Sequence, residues 1–445
     1  MIAGPFTDSN FRKLFAGRAL TNLGDSLYFV AAMWLVYELT GDPFYTGLAG
    51  FLTMIPSTFQ FLAGPLVDRW PLRRTLFSSQ ALQAVLVLGI PVAEYYGVLT
   101  VELVLVVMPL LSIINEIANP AMVATLPKLI EDSELVAANS AIAVAKKGVD
   151  LVGNGIAGIL IGLVGATTLF AFNSATFVIA ALLFAMLVIP EPSDSDADSP
   201  TTPEDEVPTT DGGSASDEQG DVTTADCGAD GEELSYIEEL RMGFSYIRGT
   251  VLTKLMVGAA VLNFTSGITL AAMPSFADSL SLPAALTVFG AAGAYGILMG
   301  AFSAGTFIGS IATNLVSQRP LGYTLMGGFG LASACWIVAI AVSWLPVTAT
   351  LFVVAFIPMG VINIQLASLI QSAPPENIVG RVTSLYSSLS AGAIPFGSLV
   401  GGVVTNLLGV QTAMFVVGVG LVCMTAYIAI LPELRTLPRV EKTTL

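Results

Sequence analysis

The stretch Gly64-Pro65-Leu66-Val67-Asp68-Arg69-Trp70-Pro71-Leu72-Arg73-Arg74 joins two long apolar runs, centred near Ile55 and Val85. Three arginines in a short connection between such runs mark the side of a membrane on which the connection stays, because positive charge opposes translocation. Outward from it in both directions the pattern repeats. Apolar runs centre near Phe29, Ile55, Val85, Pro109, Gly153, Val178, Leu262, Gly300, Ala334, Val354, Val400 and Gly420, which gives twelve candidate spans. Fifteen of the 17 Lys and Arg residues fall in the termini or in connections on the Arg69 side. The other two, Lys146 and Lys147, sit about two turns into the fifth span. Both termini and the long central connection are therefore expected in the cytoplasm, with the protein in the cell membrane.

A chain that is 54% hydrophobic and 11% charged needs lipid as solvent. Each run, roughly 20 to 28 residues long, suffices for a tilted helix across about 30 Å of hydrocarbon. The predicted class is an all-α integral membrane protein. Met1 to Asn10 lacks a basic patch followed by a short apolar core, so the first segment is expected to stay in the membrane. Three isolated cysteines and no histidine argue against a disulfide framework, a metal site or any cofactor. No Gly-x4-Gly-Lys-Ser/Thr loop is present for ATP, so an enzyme is not expected. With no histidine, carboxylates are the groups left to exchange protons.

The net charge of −16 is local. Residues Glu191 to Glu233 hold fifteen Asp and Glu and no Lys or Arg, leaving the rest near −1. So polar and acidic a segment reads as a disordered cytoplasmic tether over 191–233. A nucleic-acid partner is not expected of this charge balance. Leu234, Ile237, Leu240, Phe244 and Ile247 then recur at three-to-four spacing, which predicts an amphipathic interfacial helix over 234–249.

Residues 1–190 and 250–445 carry matching residues. Gly153, Gly158, Leu163, Gly165 and Thr168 align with Gly397, Gly402, Leu407, Gly409 and Thr412 at an offset of 244. Ile189-Pro190-Glu191 matches Leu431-Pro432-Glu433 at 242, and Asn115 matches Asn363 at 248. Two similar six-helix bundles are predicted, with a substrate site at mid-membrane between them.

The loop quoted above, with the six-plus-six layout, resembles the signature loop of the major facilitator superfamily. Phe11 to Gly24, Leu126-Pro127, Ala138-Asn139 and Gly380-Arg381-Val382 are similar to the branch of enterobactin exporters and macrolide efflux proteins. The corresponding loop of the second half, Gly309 to Arg319, has Thr313 in place of Asp68, so the motif is carried over to the first half alone. The resemblance implies a gate formed by Gly64, Asp68, Arg69, Arg73 and Arg74, with Asp68 capping the start of the eleventh span near Arg381. An Asp at a helix N-terminus meets unpaired N–H groups and the positive end of the dipole.

Asp25, Glu116 and Asp150 fall inside spans, where a charge must face the bundle interior or be paired. Asp25, with Asn22 on the same helix face, has Ser266 and Asn263 at offset 241 in the second half, so the acid is unique to the first. It reads either as a proton-coupling residue or as a helix-packing carboxylate. Glu116, with Asn115 and Asn119 beside it, is the second coupling candidate. Tyr28, Asn363 and Gln365 complete a candidate polar cavity. Asp150 lies four residues after Lys146, which favours structural pairing along one helix face.

The function this supports is secondary active transport, with proton-coupled efflux of a small amphipathic molecule foremost. An uncoupled or uptake transporter of a small metabolite, and a non-transporting membrane scaffold or sensor, remain open. The expected partners are the lipid bilayer, a small-molecule substrate and protons, and the expected state is a monomer. If Asp68 gates, Asp68→Asn slows turnover in proteoliposomes while membrane insertion is unchanged; wild-type turnover would leave the loop as a topology signal alone.

Overall fold

The computed structural model describes residues 4–62, 70–189, 250–372, 374 and 379–438. The tether and interfacial-helix expectations, and residues Gly64, Asp68 and Arg69 of the gate, lie outside them. Twelve helical segments follow one another: α1 Ser9–Thr40, α2 Pro43–Met54 continued by a 3-10 segment Ile55–Leu62, α3 Leu72–Tyr95, α4 Val101–Leu129, α5 Asp132–Val164 and α6 Ala166–Ala185 in the first half. The second half has α7 Val251–Asp278, α8 Gly290–Val316, α9 Leu321–Val342, α10 Leu345–Ser372, α11 Val379–Leu408 and α12 Val410–Ile430. Every predicted centre falls in one of them. Among the described residues 11 helices are long and apolar enough to span a membrane. The exception is α2, whose regular part has 12 residues before it tightens. No strand forms among the described residues beyond an isolated bridge between Ser281 and Trp344. In hydrocarbon that is the expected solution, because helices satisfy their backbone groups within one segment.

Local chemistry sets the ends. Asp8 accepts the Phe11 amide at 2.7 Å to open α1, and Asp42 accepts the Phe44 amide at 2.8 Å with Pro43 in the first turn of α2. Gly165 and Gly409 stop α5 and α11 at φ 83° and 86°, with their amides donating to Ile161 O and Thr405 O at 2.8 and 3.0 Å. A positive φ favours glycine, and the two positions are the pair predicted at offset 244.

Within the first half, α3 packs on α6 and α1 on α5 and α6; within the second, α9 packs on α12 and α7 on α11 and α12. The halves meet through α5 with α8 and through α2 with α11, two contacts that the repeat interchanges. Both are built on glycine. A Cβ on Gly47 would lie 2.7 Å from the Gly402 Cα, and one on Gly300 would lie 2.8 Å from the Gly155 Cα. Gly158 meets the Gly296 backbone equally closely, and that contact is the repeat image of Gly402 on Gly47. Where lipid tails remove any hydrophobic drive between helices, such small-residue contacts are what brings helices together.

Polar bonds reinforce the same region. Asn154 Nδ2 donates to Ser303 Oγ at 2.9 Å, Ser398 Oγ to Gly47 O at 3.1 Å and Tyr37 Oη to Asp278 Oδ2 at 3.2 Å; Asn406 Nδ2 donates to Asp42. The last three lie in the half of the bundle remote from the termini and Asn154–Ser303 near its middle, where Thr58 also meets Gly392, so among the described residues the two halves are joined from the far end to about mid-bundle. At the near end, the bonds among the described residues hold each half to itself. Lys13 donates to Met186 O at 3.0 Å, Lys254 pairs with Glu433, and the Leu321 amide donates to Pro438 O at 3.1 Å.

A side chain at Gly158 meets the backbone of Gly296 and the Ala292 carbonyl, neither of which can swing aside, whereas Gly89 has nothing within 4 Å of its would-be Cβ. Gly158→Leu is expected to reduce turnover by about tenfold or more with insertion intact, and Gly89→Leu to change it less than about twofold. Thiol labelling of a far-end cysteine checks the cause, since it should accelerate in Gly158→Leu alone.

Candidate functional site

A cavity of about 530 Å³ opens inside the first half. Helix α1 supplies Asp25, Ser26 and Tyr28; α3 supplies Gln83, α4 Asn115, and α5 Lys146, Asp150 and Asn154. Spacings of four and three residues place Arg18, Asn22 and Asp25 along one face of α1, with Arg18 about 10 Å before Asp25. Arg18 Nη2 donates to Asn119 Oδ1 at 2.8 Å, tying α1 to α4. Sequence reading grouped Arg18 with the terminal basic residues, yet it sits nine residues into α1. Its seven-residue spacing from Asp25 was the available signal.

The Lys146–Asp150 ion pair expected along α5 does not form: Asp150 Oδ1 instead accepts Ser26 Oγ at 2.9 Å, and the Lys146 side chain is exposed and borders the cavity. Four-residue spacing allows the pair, but the hydroxyl of a neighbouring helix takes the carboxylate. The charges acting on Asp25 are Arg18, Lys146 and Asp150. Asp25 itself is half-buried and lines the cavity.

Polar atoms without partners surround this cluster. Tyr28 Oη and Gln83 Oε1 are buried and unbonded on the cavity wall, and Asn22 Nδ2 is buried without a partner beside it. Sequence reading missed Gln83, although Gln80 three residues earlier on the same face of α3 was an available signal. Glu116 Oε2 is also buried and unbonded, but the residue does not line the cavity; its neighbour Asn115 does, and the second cavity acid is Asp150.

The second half holds a cavity of about 280 Å³ lined from all six of its helices. The predicted Asn263, Ser266 and Asn363 border it; Gln365 is buried elsewhere with Oε1 unbonded. Aromatic rings form much of the wall. Trp336 stacks on Phe352 at 4.7 Å and 5°, Phe302 meets Phe356 edge-on at 4.4 Å, and Trp336 Nε1 donates to Met414 O at 2.9 Å. No Asp, Glu, Lys or Arg occurs in residues 255–277, 290–316, 321–342, 345–372, 382–408 or 410–430, so the charges within helices lie in the first half, apart from those at helix ends.

Of the gate residues, Arg73 donates to the Ala185 carbonyl at the C-terminal end of α6, where a cation complements the helix dipole, and Arg74 is exposed. Arg381 is in the first turn of α11, and its side chain lies outside the described set, as does the proposed approach of Asp68.

Comparison with known proteins places this architecture. The profile of the Major Facilitator Superfamily matches residues 14–398. The multidrug efflux pump Tap of Mycobacterium tuberculosis is 26% identical over 427 residues, covering 93% of this chain and 91% of that protein. The MFS-type transporter YvqJ of Bacillus subtilis, itself uncharacterized, is 28% identical over 177 residues, 39% of this chain and 40% of that one. Among solved structures, the nucleoside transporter NupG aligns with TM-score 0.70 at 12% identity, covering 95% of this chain and 98% of that one. An inward-facing, occupied bacterial homolog of the human lysosomal transporter Spinster aligns with TM-score 0.68 at 13% identity, covering 96% of each chain. At such identities the structural matches speak to fold alone. From the profile match over most of its length and its duplicated six-helix halves, the chain belongs to the major facilitator superfamily and is a membrane transporter, not an enzyme.

Proposed function

We propose that the protein is a proton-coupled exporter of small amphipathic molecules that works by alternating access, as a monomer with both termini and the 191–233 connection cytoplasmic. The observation that carries this reading is the position of Asp25, half-buried on the wall of the first-half cavity with Arg18, Lys146 and Asp150 as its charged neighbours. The second half has Ser266 at the matching position, so proton exchange falls to one bundle. Likeness to Tap, a multidrug efflux pump, supports export of drug-like molecules.

In this reading the far-end glycine contacts hold the outside closed while the cavity is reached from the cytoplasm. A proton on Asp25 removes the negative charge that Arg18 and Lys146 face, which changes the balance of charge between α1 and α5. Because α5 also carries Gly155 and Gly158, a shift of α5 acts directly on the far-end seal. Proton loss and substrate loading then favour opposite arrangements, which couples the two flows. Asp150 supports the same site through Ser26, and Glu116 stands outside it.

The test is Asp25→Asn in proteoliposomes. Substrate accumulation driven by an imposed proton gradient is expected to fall by about a hundredfold, while substrate–substrate exchange keeps at least about a third of its rate, because the amide fills the site without titrating. Gradient-driven accumulation that survives with unchanged pH dependence would contradict the assignment and favour uncoupled transport.

A further inference from the structure

The two cavities are copies of each other. Tyr28, Met108, Leu111, Asn115 and Asp150 line the first, and Thr269, Phe356, Met359, Asn363 and Ile394 line the second at the offsets 241, 248, 248, 248 and 244 set by the repeat. Pro71 and Pro320, which begin α3 and α9, give an offset of 249, and at that offset Gln83 corresponds to Ala332. The position has been kept and the chemistry reversed. Where the first cavity has acids and an amide, the second has Ser266, Ile394 and Ala332.

We infer that the second-half cavity is a binding site in its own right, for the uncharged aromatic part of a small molecule of two or three fused or linked rings that carries one hydrogen-bonding group. The inference rests on the transporter reading only in calling the occupant a substrate. Its volume of about 280 Å³ fits such a molecule and falls at the small end of ligand pockets. The floor is buried aromatic surface, Phe329 and Trp336, and Phe302 and Phe356 add rings along the wall, so a flat ring can be met edge-on or offset from several sides. The mouth is polar on one edge. Asn263 and Asn363 make no hydrogen bond among the described residues and so offer both donors and acceptors. Ser266 and Thr306, by contrast, already donate to carbonyls of their own helices, Leu262 O at 2.9 Å and Ser303 O at 3.0 Å. Among the described residues no carboxylate or amine borders the cavity, so a charged group seated there would lose its hydration with none of them to replace it.

The test uses two fluorescent probes with one ring skeleton. N-phenyl-1-naphthylamine is neutral with a single N–H, and 1-anilinonaphthalene-8-sulfonate adds a negative charge. Binding is measured on the full-length protein in nanodiscs, with empty nanodiscs subtracted. Saturable binding of the neutral probe, at least about tenfold tighter than the sulfonate and unchanged between pH 5.5 and 8, is expected. Ala332→Trp, which fills the floor, should weaken it by about tenfold or more, and Asn363→Ala, at the exposed mouth, by about threefold to tenfold. If Ala332→Trp fails to fold, Asn363→Ala decides. Neutral-probe binding that both variants leave unchanged, equal binding of the sulfonate, or no saturable binding would overturn the inference. No gradient enters this experiment, so its failure leaves the Asp25 coupling reading standing, and failure of that reading leaves the cavity standing.

Discussion

A charge placed at mid-bilayer costs at least about 2.5 to 3.5 kcal/mol on insertion scales, and that penalty decides where Arg18, Asp25, Lys146 and Asp150 reside. None of them has the option of facing lipid, so α1 and α5 are turned to bring Asp25, Lys146 and Asp150 to one interior cavity and Arg18 to α4. Arg18 reaches Asn119 and Asp150 takes the Ser26 hydroxyl, which leaves Asp25 and Lys146 with room around them. The buried, unbonded atoms of Tyr28 and Gln83 on the same wall belong to this economy of polar groups: they are tolerable in hydrocarbon only where a cavity admits water or a ligand.

Duplication gives the second half the same helices and the same hollow without the same constraint. Its charges are confined to helix ends, where Lys254 pairs with Glu433, and its cavity is free to be apolar. Under the proposed coupling, that division separates proton exchange from the binding of an apolar solute. The joint between the halves must then be neutral and close, and glycine on glycine provides it: Gly158 with Gly296 and Gly402 with Gly47 are one contact made twice.

Much of the fold was legible in the sequence because the bilayer enforces it. Long apolar runs and one-sided Lys and Arg suffice for the spans, and Gly165 with Gly409 marked a repeat that the backbone then showed at matching positive φ. The site was legible in part. Asp25, Tyr28, Asn115, Asn263, Ser266 and Asn363 were found by asking which polar groups lie inside spans, and each borders a cavity. Asn22, Glu116, Asn119 and Gln365 satisfy the same criterion and border neither, because depth in the membrane says nothing of which helix face a residue occupies. Lys146 and Asp150 share a face and still do not pair, since a tertiary neighbour outcompetes a local one. Arg18 was read for its charge near a terminus rather than for its register with Asp25, and Gln83, three residues after Gln80 on the same helix face, meets the polar-inside-span criterion and was passed over.

The central claim is that protonation in the first-half cavity controls closure at the far end. The most direct measurement is the distance, by double electron–electron resonance, between spin labels at Val98 and Trp344, which are exposed in far-end connections of opposite halves. With Cys227, Cys335 and Cys423 replaced by serine, the account predicts a short distance that gives way to a longer one as pH is changed across the range over which transport is driven. A single distance that stays fixed across that range, in protein that still transports, would contradict it.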